Sequence, residues 1–208
     1  SGMSRGLGDV YKRQDFYNVP VESLMDTYYL NSRMDDFKLN RATSADSLYP
    51  GKFDVEESEE TTHFSIVDED GNAVSITTTL NGSFGSGVVV KNAGFLLNNE
   101  MDDFSIKPGH PNLYELIGGE ANAISPNKRM LSSMTPTIIE KNDSLFMVLG
   151  SPGGSSIITA VFQTVLNVID YKMDVQSAVN APRFHHQWKP DYIKSVSYTH
   201  LRAHETFR

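Results

Sequence analysis

The 208-residue sequence contains no cysteine, which excludes disulfide bonds and thiolate metal sites from this chain. No run of residues approaches the roughly 20 consecutive apolar side chains that a membrane-spanning helix needs. Basic residues are also few: 18 Lys and Arg stand against 26 Asp and Glu, giving a formal net charge of -8. Since phosphate binding needs clustered Lys and Arg, and no such stripe is present, the composition gives no support to a nucleic-acid-binding function.

Both ends of the chain carry sequence that differs in origin from the middle. Residues 9–14 (DVYKRQ) can be encoded by GATGTGTATAAGAGACAG and residues 196–200 (VSYTH) by GTCTCTTATACACAT. The second string is the reverse complement of the inner part of the first, and the pair resembles a translated transposase adapter from sequencing-library preparation. We therefore interpret residues 1–14 and 195–208 as scars, exclude them from fold prediction, and expect the remainder to be a gene fragment.

The hydrophobic pattern of the remaining residues predicts both strands and helices. Residues 19–40 have apolar side chains at helical spacing and predict one or two helices, whereas 41–60 are polar and acidic, as in an exposed loop. A β-hairpin is predicted over 62–67 and 73–79, with Asp-Gly in its turn. A second hairpin is predicted over 136–140 and 144–149.

The later part of the chain predicts one dominant helix. Residues 87–97 indicate a loop and a short strand, and residues 102–124, punctuated by Gly and Pro, are expected to wrap the surface. Residues 155–171 have apolar side chains on more than one face, so we expect a helix that is buried on most sides. Strands followed by a buried helix predict the α+β class, with a sheet layer against a helical layer.

Thr61 is the residue with the most distinctive chemical potential. It follows the acidic stretch 55–60 and begins the run TTHFSIVD. A Thr hydroxyl is a weak nucleophile until a base lies beside it, and cleavage of the preceding peptide bond would free the α-amino group of Thr61 as that base. Thr is also a common residue at the start of a strand. A catalytic role therefore depends on cleavage between Glu60 and Thr61.

Three other clusters admit more than one interpretation. Residues 100–103 (EMDD) are an acidic loop without the regular Asp and Asn spacing of an EF-hand, so they do not predict a calcium site. His185 and His186 lack a nearby acidic or His partner, which favours structural hydrogen bonding over a metal site. Gly153 and Gly154 precede the predicted helix, where backbone N–H groups can hold negative charge. A Walker phosphate loop would need Gly-Lys-Ser/Thr here, and the chain lacks it.

Six separated motifs occur along the chain: TTH at 61–63, TLN at 79–81, LLNNEMDD at 96–103, PNKRMLSSM at 126–134, GSPGG at 150–154 and APRFHHQW at 181–188. In this order they closely resemble the γ-glutamyltransferase (γ-glutamyl transpeptidase) family of N-terminal nucleophile hydrolases. The resemblance implies a four-layer αββα sandwich, incomplete in this chain. It also implies that residues 15–60 end a large subunit, including a processing loop, and that 61–194 form most of a small catalytic subunit.

The resemblance also implies a role for each motif. Thr61 would be the nucleophile, released by self-cleavage of the Glu60–Thr61 bond, and Thr79 would hydrogen-bond and orient it. Gly153 and Gly154 would form an oxyanion hole. The substrate-binding residues would be Asn81, Glu100 and Asp103 for the ammonium group of a γ-glutamyl donor, and Ser132 and Ser133 for its α-carboxylate.

The function implied for the parent protein is γ-glutamyl transfer from glutathione and other γ-glutamyl amides to water, an amino acid or a dipeptide. The resemblance implies no cofactor and no metal, and it alone suggests a periplasmic or extracellular location. A related glutaryl or cephalosporin-type acylase is an alternative, but Asn81, Glu100 and Asp103 would then face no ammonium. A further alternative is an inert fragment. We expect the chain by itself to be inactive, because the large subunit is implied to supply an Arg against the donor α-carboxylate.

Overall fold

The structure, a computed structural model, describes residues 22, 25–32, 34, 37–40, 61–189 and 191–196. Its helices are α1 Thr27–Ser32, α2 Ile157–Ile169 and α3 Val175–Asn180, and its strands are β1 Thr62–Val67, β2 Ala73–Thr78, β3 Thr137–Lys141, β4 Ser144–Leu149, β5 Arg183–His185 and β6 Lys194–Val196. Short 3-10 turns occupy Glu100–Asp103, Glu120–Asn122 and Gly154–Ser156. The predicted α+β class is therefore confirmed.

Part of the sequence interpretation lies outside the described residues. This applies to the acidic loop 41–60, to residues 1–14 and 197–208 of the two proposed scars, and to part of the helical region 19–40, in which α1 is described. Residues 195 and 196, which the scar interpretation includes, pair with Phe184 and Arg183 across the β5–β6 ladder.

The first hairpin forms as its sequence pattern predicts. Strands β1 and β2 pair antiparallel from Thr62 opposite Thr78 to Val67 opposite Ala73. The Asp68 carboxylate closes the turn by accepting hydrogen bonds from the backbone N–H and the side-chain amide of Asn72, at 2.8 and 2.7 Å. These bonds, led by that from the side chain, hold the pKa of Asp68 below its ordinary value, because they favour the charged carboxylate.

The second hairpin is also confirmed. Strands β3 and β4 pair antiparallel, with an irregularity in the register between Ile139 and Glu140. Asn142 and Asp143 connect them with φ angles of 54° and 57°. Positive φ at both central residues is the backbone requirement of the tight turn that matches the twist of a hairpin, and Asn and Asp tolerate that conformation.

The two hairpins pack together through the polar face of the first. The Ser75 hydroxyl donates to the Leu149 carbonyl at 3.0 Å and accepts from the Thr137 N–H at 3.1 Å. A single β2 side chain thus bonds to a residue pair of the second hairpin. The opposite face of the first hairpin is apolar and partly exposed, and it carries Phe64, Ile66, Val74 and Ile76.

Helix α2 is present as predicted, but the expectation that it is buried on most sides is wrong for the described residues. Its fully buried positions are Ile157, Val161 and Thr164. Phe162, on another face, is 59% exposed. The helix packs against α3 and β5. Periodicity identified its apolar faces but could not show which of them has a neighbour among the described residues.

The expectation that residues 102–124 only wrap the surface is also wrong. Phe104, Tyr114 and Ile117 belong to the buried apolar core, and Asn122 is 3% exposed. The Asn122 side chain donates to the Asp103 carbonyl at 2.6 Å and accepts from the Leu131 N–H at 3.0 Å. Side-chain amides here take the place of a strand ladder in satisfying buried backbone groups.

Candidate active site

Thr61 and Thr79 lie at the same end of the first hairpin. The last pair of the ladder is Thr62 opposite Thr78. Thr61 immediately precedes β1 and Thr79 immediately follows β2, so each lies one position beyond its strand at this end of the hairpin. Thr61 is half-buried. The Thr79 hydroxyl oxygen accepts a hydrogen bond from the Asn81 N–H at 2.9 Å. The register therefore brings the predicted nucleophile and its predicted orienting residue to one edge.

Asn81 is held in an unusual backbone conformation. It is 2% exposed and has a φ of 73°, which is in the left-handed region that Asn tolerates better than most residues. Its carbonyl accepts from the buried Tyr114 hydroxyl at 2.7 Å, and its side-chain amide donates to the Asn99 carbonyl at 3.3 Å. These contacts fix Asn81 between the hairpin end and the acidic turn at 100–103.

Glu100 and Asp103 lie on that 3-10 turn, and both are half-buried. The Glu100 N–H donates to the Asn98 side-chain oxygen at 3.1 Å, and the Asp103 carbonyl accepts from Asn122. Between them in sequence, the Asp102 carboxylate accepts from the Leu113 N–H at 2.7 Å. The turn thus concentrates negative charge at a point whose backbone is fixed by side-chain amides.

A cavity of about 420 Å³ brings some of the predicted binding residues together. Its lining includes Asp103, Ser132 and Ser133. Residues that carry a carboxylate and hydroxyls, brought to one cavity, are of the kind that bind a group of positive charge and a group of negative charge side by side. Six predicted site residues do not line this cavity: Thr61, Thr79, Asn81, Glu100, Gly153 and Gly154.

The glycine pair is joined to the cavity through Ser133, whose hydroxyl donates to the Gly154 carbonyl at 2.9 Å. Both glycines are buried, and their φ angles of 126° and 51° disfavour any residue with a side chain. Gly154 also opens the 3-10 turn that leads into α2. The backbone N–H groups of the pair therefore lie at the start of a helix, where they can stabilise a developing negative charge.

Sequence reasoning assigned no role to His63, which bridges the hairpin that follows Thr61. Its Nδ1 lies 2.8 Å from the Thr77 hydroxyl and its Nε2 lies 3.0 Å from the Ser65 hydroxyl. Burial lowers the pKa of His63 below its ordinary value, because burial disfavours the charged imidazolium. A Cβ added at Gly150 would collide with the His63 ring. The TTH motif contains this residue. However, no signal in the neighbouring sequence indicated that His63 packs against Gly150, in the segment that leads to Gly153.

Tyr114 and Gln187 are the other residues that sequence reasoning missed. The Tyr114 hydroxyl bonds to Asn81, and the Gln187 amide donates to the Tyr114 carbonyl at 3.1 Å. Gln187 belongs to the APRFHHQW motif, which was the available signal. His185 makes the structural hydrogen bonds expected of it, with its Nδ1 2.9 Å from the Thr159 hydroxyl. The expectation that His186 lacks a nearby acidic partner is wrong, because its Nε2 lies 3.3 Å from an Asp191 carboxylate oxygen five residues along the chain.

Within the described ranges, no three His, Cys, Asp or Glu side chains are grouped so that they could hold a metal ion. A search of the same residues found no helix with the length and apolar character needed to cross a membrane.

Comparison with known proteins gives a consistent result. A family model described as γ-glutamyltranspeptidase matches residues 5–205. The chain is 53% identical over 191 residues to the glutathione hydrolase proenzyme of Escherichia coli (strain K12), covering 92% of this chain and 32% of that protein. The chain thus spans about a third of the length of such curated relatives.

Two solved structures place this similarity in context. A γ-glutamyltranspeptidase mutant from Helicobacter pylori is 63% identical with a TM-score of 0.63, covering 64% of this chain and 72% of that chain. A cephalosporin acylase from Bacillus halodurans is 26% identical with a TM-score of 0.60, covering 89% of this chain and 32% of that chain. The backbone is therefore similar to both, whereas the sequence is much closer to the first.

Proposed function

This chain belongs to the γ-glutamyltranspeptidase family and has the α+β fold of the N-terminal nucleophile hydrolases, and on that premise we propose that the protein catalyses γ-glutamyl transfer. The donor is glutathione or another γ-glutamyl amide, and the acceptor is water, an amino acid or a dipeptide. The observation that carries the proposal is the cavity shared by Asp103, Ser132 and Ser133, with Ser133 bonded to Gly154.

Before the first turnover, cleavage of the Glu60–Thr61 bond gives Thr61 a free α-amino group. This amine takes the proton of the Thr61 hydroxyl as its oxygen attacks the γ-carbonyl of the donor. The negative charge that develops on the carbonyl oxygen is stabilised by the N–H groups of Gly153 and Gly154. The donor amine then leaves with a proton, and an ester remains on Thr61. Attack by water or an acceptor amine releases the γ-glutamyl group and restores the hydroxyl.

Donor selectivity follows from the charges of a γ-glutamyl group, which carries an α-ammonium and an α-carboxylate. Asn81, Glu100 and Asp103 bind the ammonium, because oxygen acceptors and carboxylates attract it. Ser132 donates to the α-carboxylate, Ser133 does so by turning its one hydroxyl proton from the Gly154 carbonyl to the carboxylate, and an Arg from a large-subunit segment completes that contact. The charge of the 100–103 turn and the place of Asp103 in the cavity wall support this assignment.

The acylase alternative has weaker support. A glutaryl group lacks the α-amino group, so three acceptors at the proposed ammonium site would have no charge to bind. The similarity to the Bacillus halodurans acylase is also lower, at 26% identity against 63% for the Helicobacter pylori structure.

The test compares two chromogenic donors, γ-glutamyl-p-nitroanilide and glutaryl-p-nitroanilide, on the complete protein that carries this chain. We expect release of p-nitroaniline from the first and little from the second, together with a small chain whose N-terminal residue is Thr61. Preference for the glutaryl donor would favour the acylase. A small chain that starts at any other residue would remove the proposed base and overturn the mechanism.

A further inference from the structure

The Gln187 side chain joins two parts of the candidate active site. Its oxygen accepts from the Ser155 hydroxyl at 2.6 Å and lies 2.9 Å from His185 Nε2, and its nitrogen donates to the Tyr114 carbonyl at 3.1 Å. A backbone carbonyl can only accept, so the amide nitrogen must face Tyr114 and the oxygen must face the other two.

Each partner of Gln187 leads to a different part of the site. Ser155 directly follows Gly154 and is 6% exposed at the beginning of the α2 region. On the other side, Tyr114 donates from its hydroxyl to the Asn81 carbonyl, and the Asn81 N–H donates to Thr79. A chain of hydrogen bonds thus runs from the residue after the glycine pair, through Gln187 and Tyr114, to Asn81 and Thr79.

The position of Gln187 is itself fixed. His185, which is 7% exposed, bonds Gln187 with one ring nitrogen, and its other ring nitrogen lies 2.9 Å from the Thr159 hydroxyl on α2. Ser155, His185 and Gln187 also line the cavity that contains Asp103 and Ser132. A side-chain amide that is fixed in place, and that is hydrogen-bonded through both its oxygen and its nitrogen, can set the distance between the two segments that it connects.

We propose that Gln187 is a positioning residue that aligns the Gly153–Gly154 turn with the Asn81 ammonium site by bonding Ser155 and Tyr114 at once. The inference rests on the proposed function, and it assigns the two ends of one amide to two separable effects. The oxygen end holds the oxyanion turn and acts on the chemical step. The nitrogen end holds Tyr114, and through it Asn81, and acts on donor binding.

Three variants of the complete protein separate these effects. Gln187→Glu keeps the acceptors for Ser155 and His185 but puts an oxygen against the Tyr114 carbonyl. Gln187→Met removes both sets of hydrogen bonds while keeping a side chain of similar length. Gln176→Met is the matched control, because Gln176 is exposed on α3 and bonds Asn180 one turn away. Kinetics with γ-glutamyl-p-nitroanilide give kcat and KM, and circular dichroism and thermal melting verify folding.

We expect Gln187→Glu to raise KM about fivefold to tenfold, the usual effect of one lost hydrogen bond, with kcat within about twofold of the unmodified protein. Gln187→Met should raise KM similarly and also lower kcat about tenfold. Gln176→Met should change neither. Equal kinetics for all three variants, or parallel changes in kcat and KM for Gln187→Glu and Gln187→Met, would overturn the proposal.

Hydrogen exchange on the same proteins gives a second measurement that does not depend on activity. In Gln187→Glu, exchange should accelerate at residues 112–116 alone, and in Gln187→Met it should accelerate at 112–116 and 154–158. Unchanged exchange at both segments would refute the network. If the unmodified protein does not turn over the donor, the proposed function fails and exchange alone decides the network. If Gln187→Met does not fold, Gln187→Glu decides it.

Discussion

The two sides of the candidate active site are held in different ways. The side that carries Thr61 and Thr79 is the end of a regular hairpin, where the backbone ladder of β1 and β2 sets the position of each residue. The side that carries Asp103 and Ser132 is irregular, and its position depends on side-chain amides such as Asn122. The comparison indicates that the position of the proposed nucleophile relies on the local structure of the hairpin, whereas donor binding relies on contacts between distant segments.

The largest effect should come from removing the nucleophile on the hairpin side. Thr61→Ala should leave one uncut chain with no detectable γ-glutamyl transfer, because the hydroxyl that we propose attacks both the peptide bond and the donor is absent. Thr61→Ser should retain slow activity. Thr78→Ala is the control, since Thr78 is exposed at the end of β2. Gel electrophoresis measures the cleavage and p-nitroaniline release measures the activity, and a cleaved, active Thr61→Ala protein would contradict the assignment.

The next effect tests the irregular side. Asp103→Ala should raise KM for γ-glutamyl donors by an amount equivalent to about 2–3 kcal/mol, the contribution of a charge-assisted hydrogen bond to the donor ammonium. A donor without the α-amino group should lose far less. Equal losses for the two donors would show that Asp103 does not bind the ammonium.

A smaller effect, on stability, tests what holds that side in place. Asn122→Leu preserves approximate shape but leaves the Asp103 carbonyl and the Leu131 N–H without their side-chain partner, so the free energy of unfolding should fall by about 2–4 kcal/mol. The control Asn180→Leu, at an exposed position on α3, should change it by less than about 0.5 kcal/mol. Urea unfolding measures both, and equal changes would mean that Asn122 does not brace the turn.

The same contrast between the regular and the irregular side explains how much of the fold and of the candidate site could be predicted from the sequence. The hairpins were predictable, because Asp-Gly and Asn-Asp turns between β-rich runs are local signals, and the glycine pair was recognisable from its motif. The irregular side was not. The bond from Asn122 to Asp103 spans 19 residues, that from Tyr114 to Asn81 spans 33, and that from Gln187 to Tyr114 spans 73. No periodicity or turn signal encodes such pairings, and the same lack of long-range information caused the wrong expectation about the burial of α2.

The smallest effect concerns pH and the hairpin side. Burial keeps the pKa of His63 below its ordinary value of 6.5, so the unfolded chain binds a proton at a higher pH than the folded protein does. The stability that depends on neutral His63 is therefore complete above about pH 6.5 and decreases as the pH falls below that value. The groups bonded to the ring, the hydroxyls of Thr77 and Ser65, do not titrate in this range. We expect the free energy of unfolding to decline with acidification below pH 6.5, and His63→Gln to make that decline shallower. A decline of equal slope in the two proteins would assign it to other groups and remove His63 from the account of the hairpin.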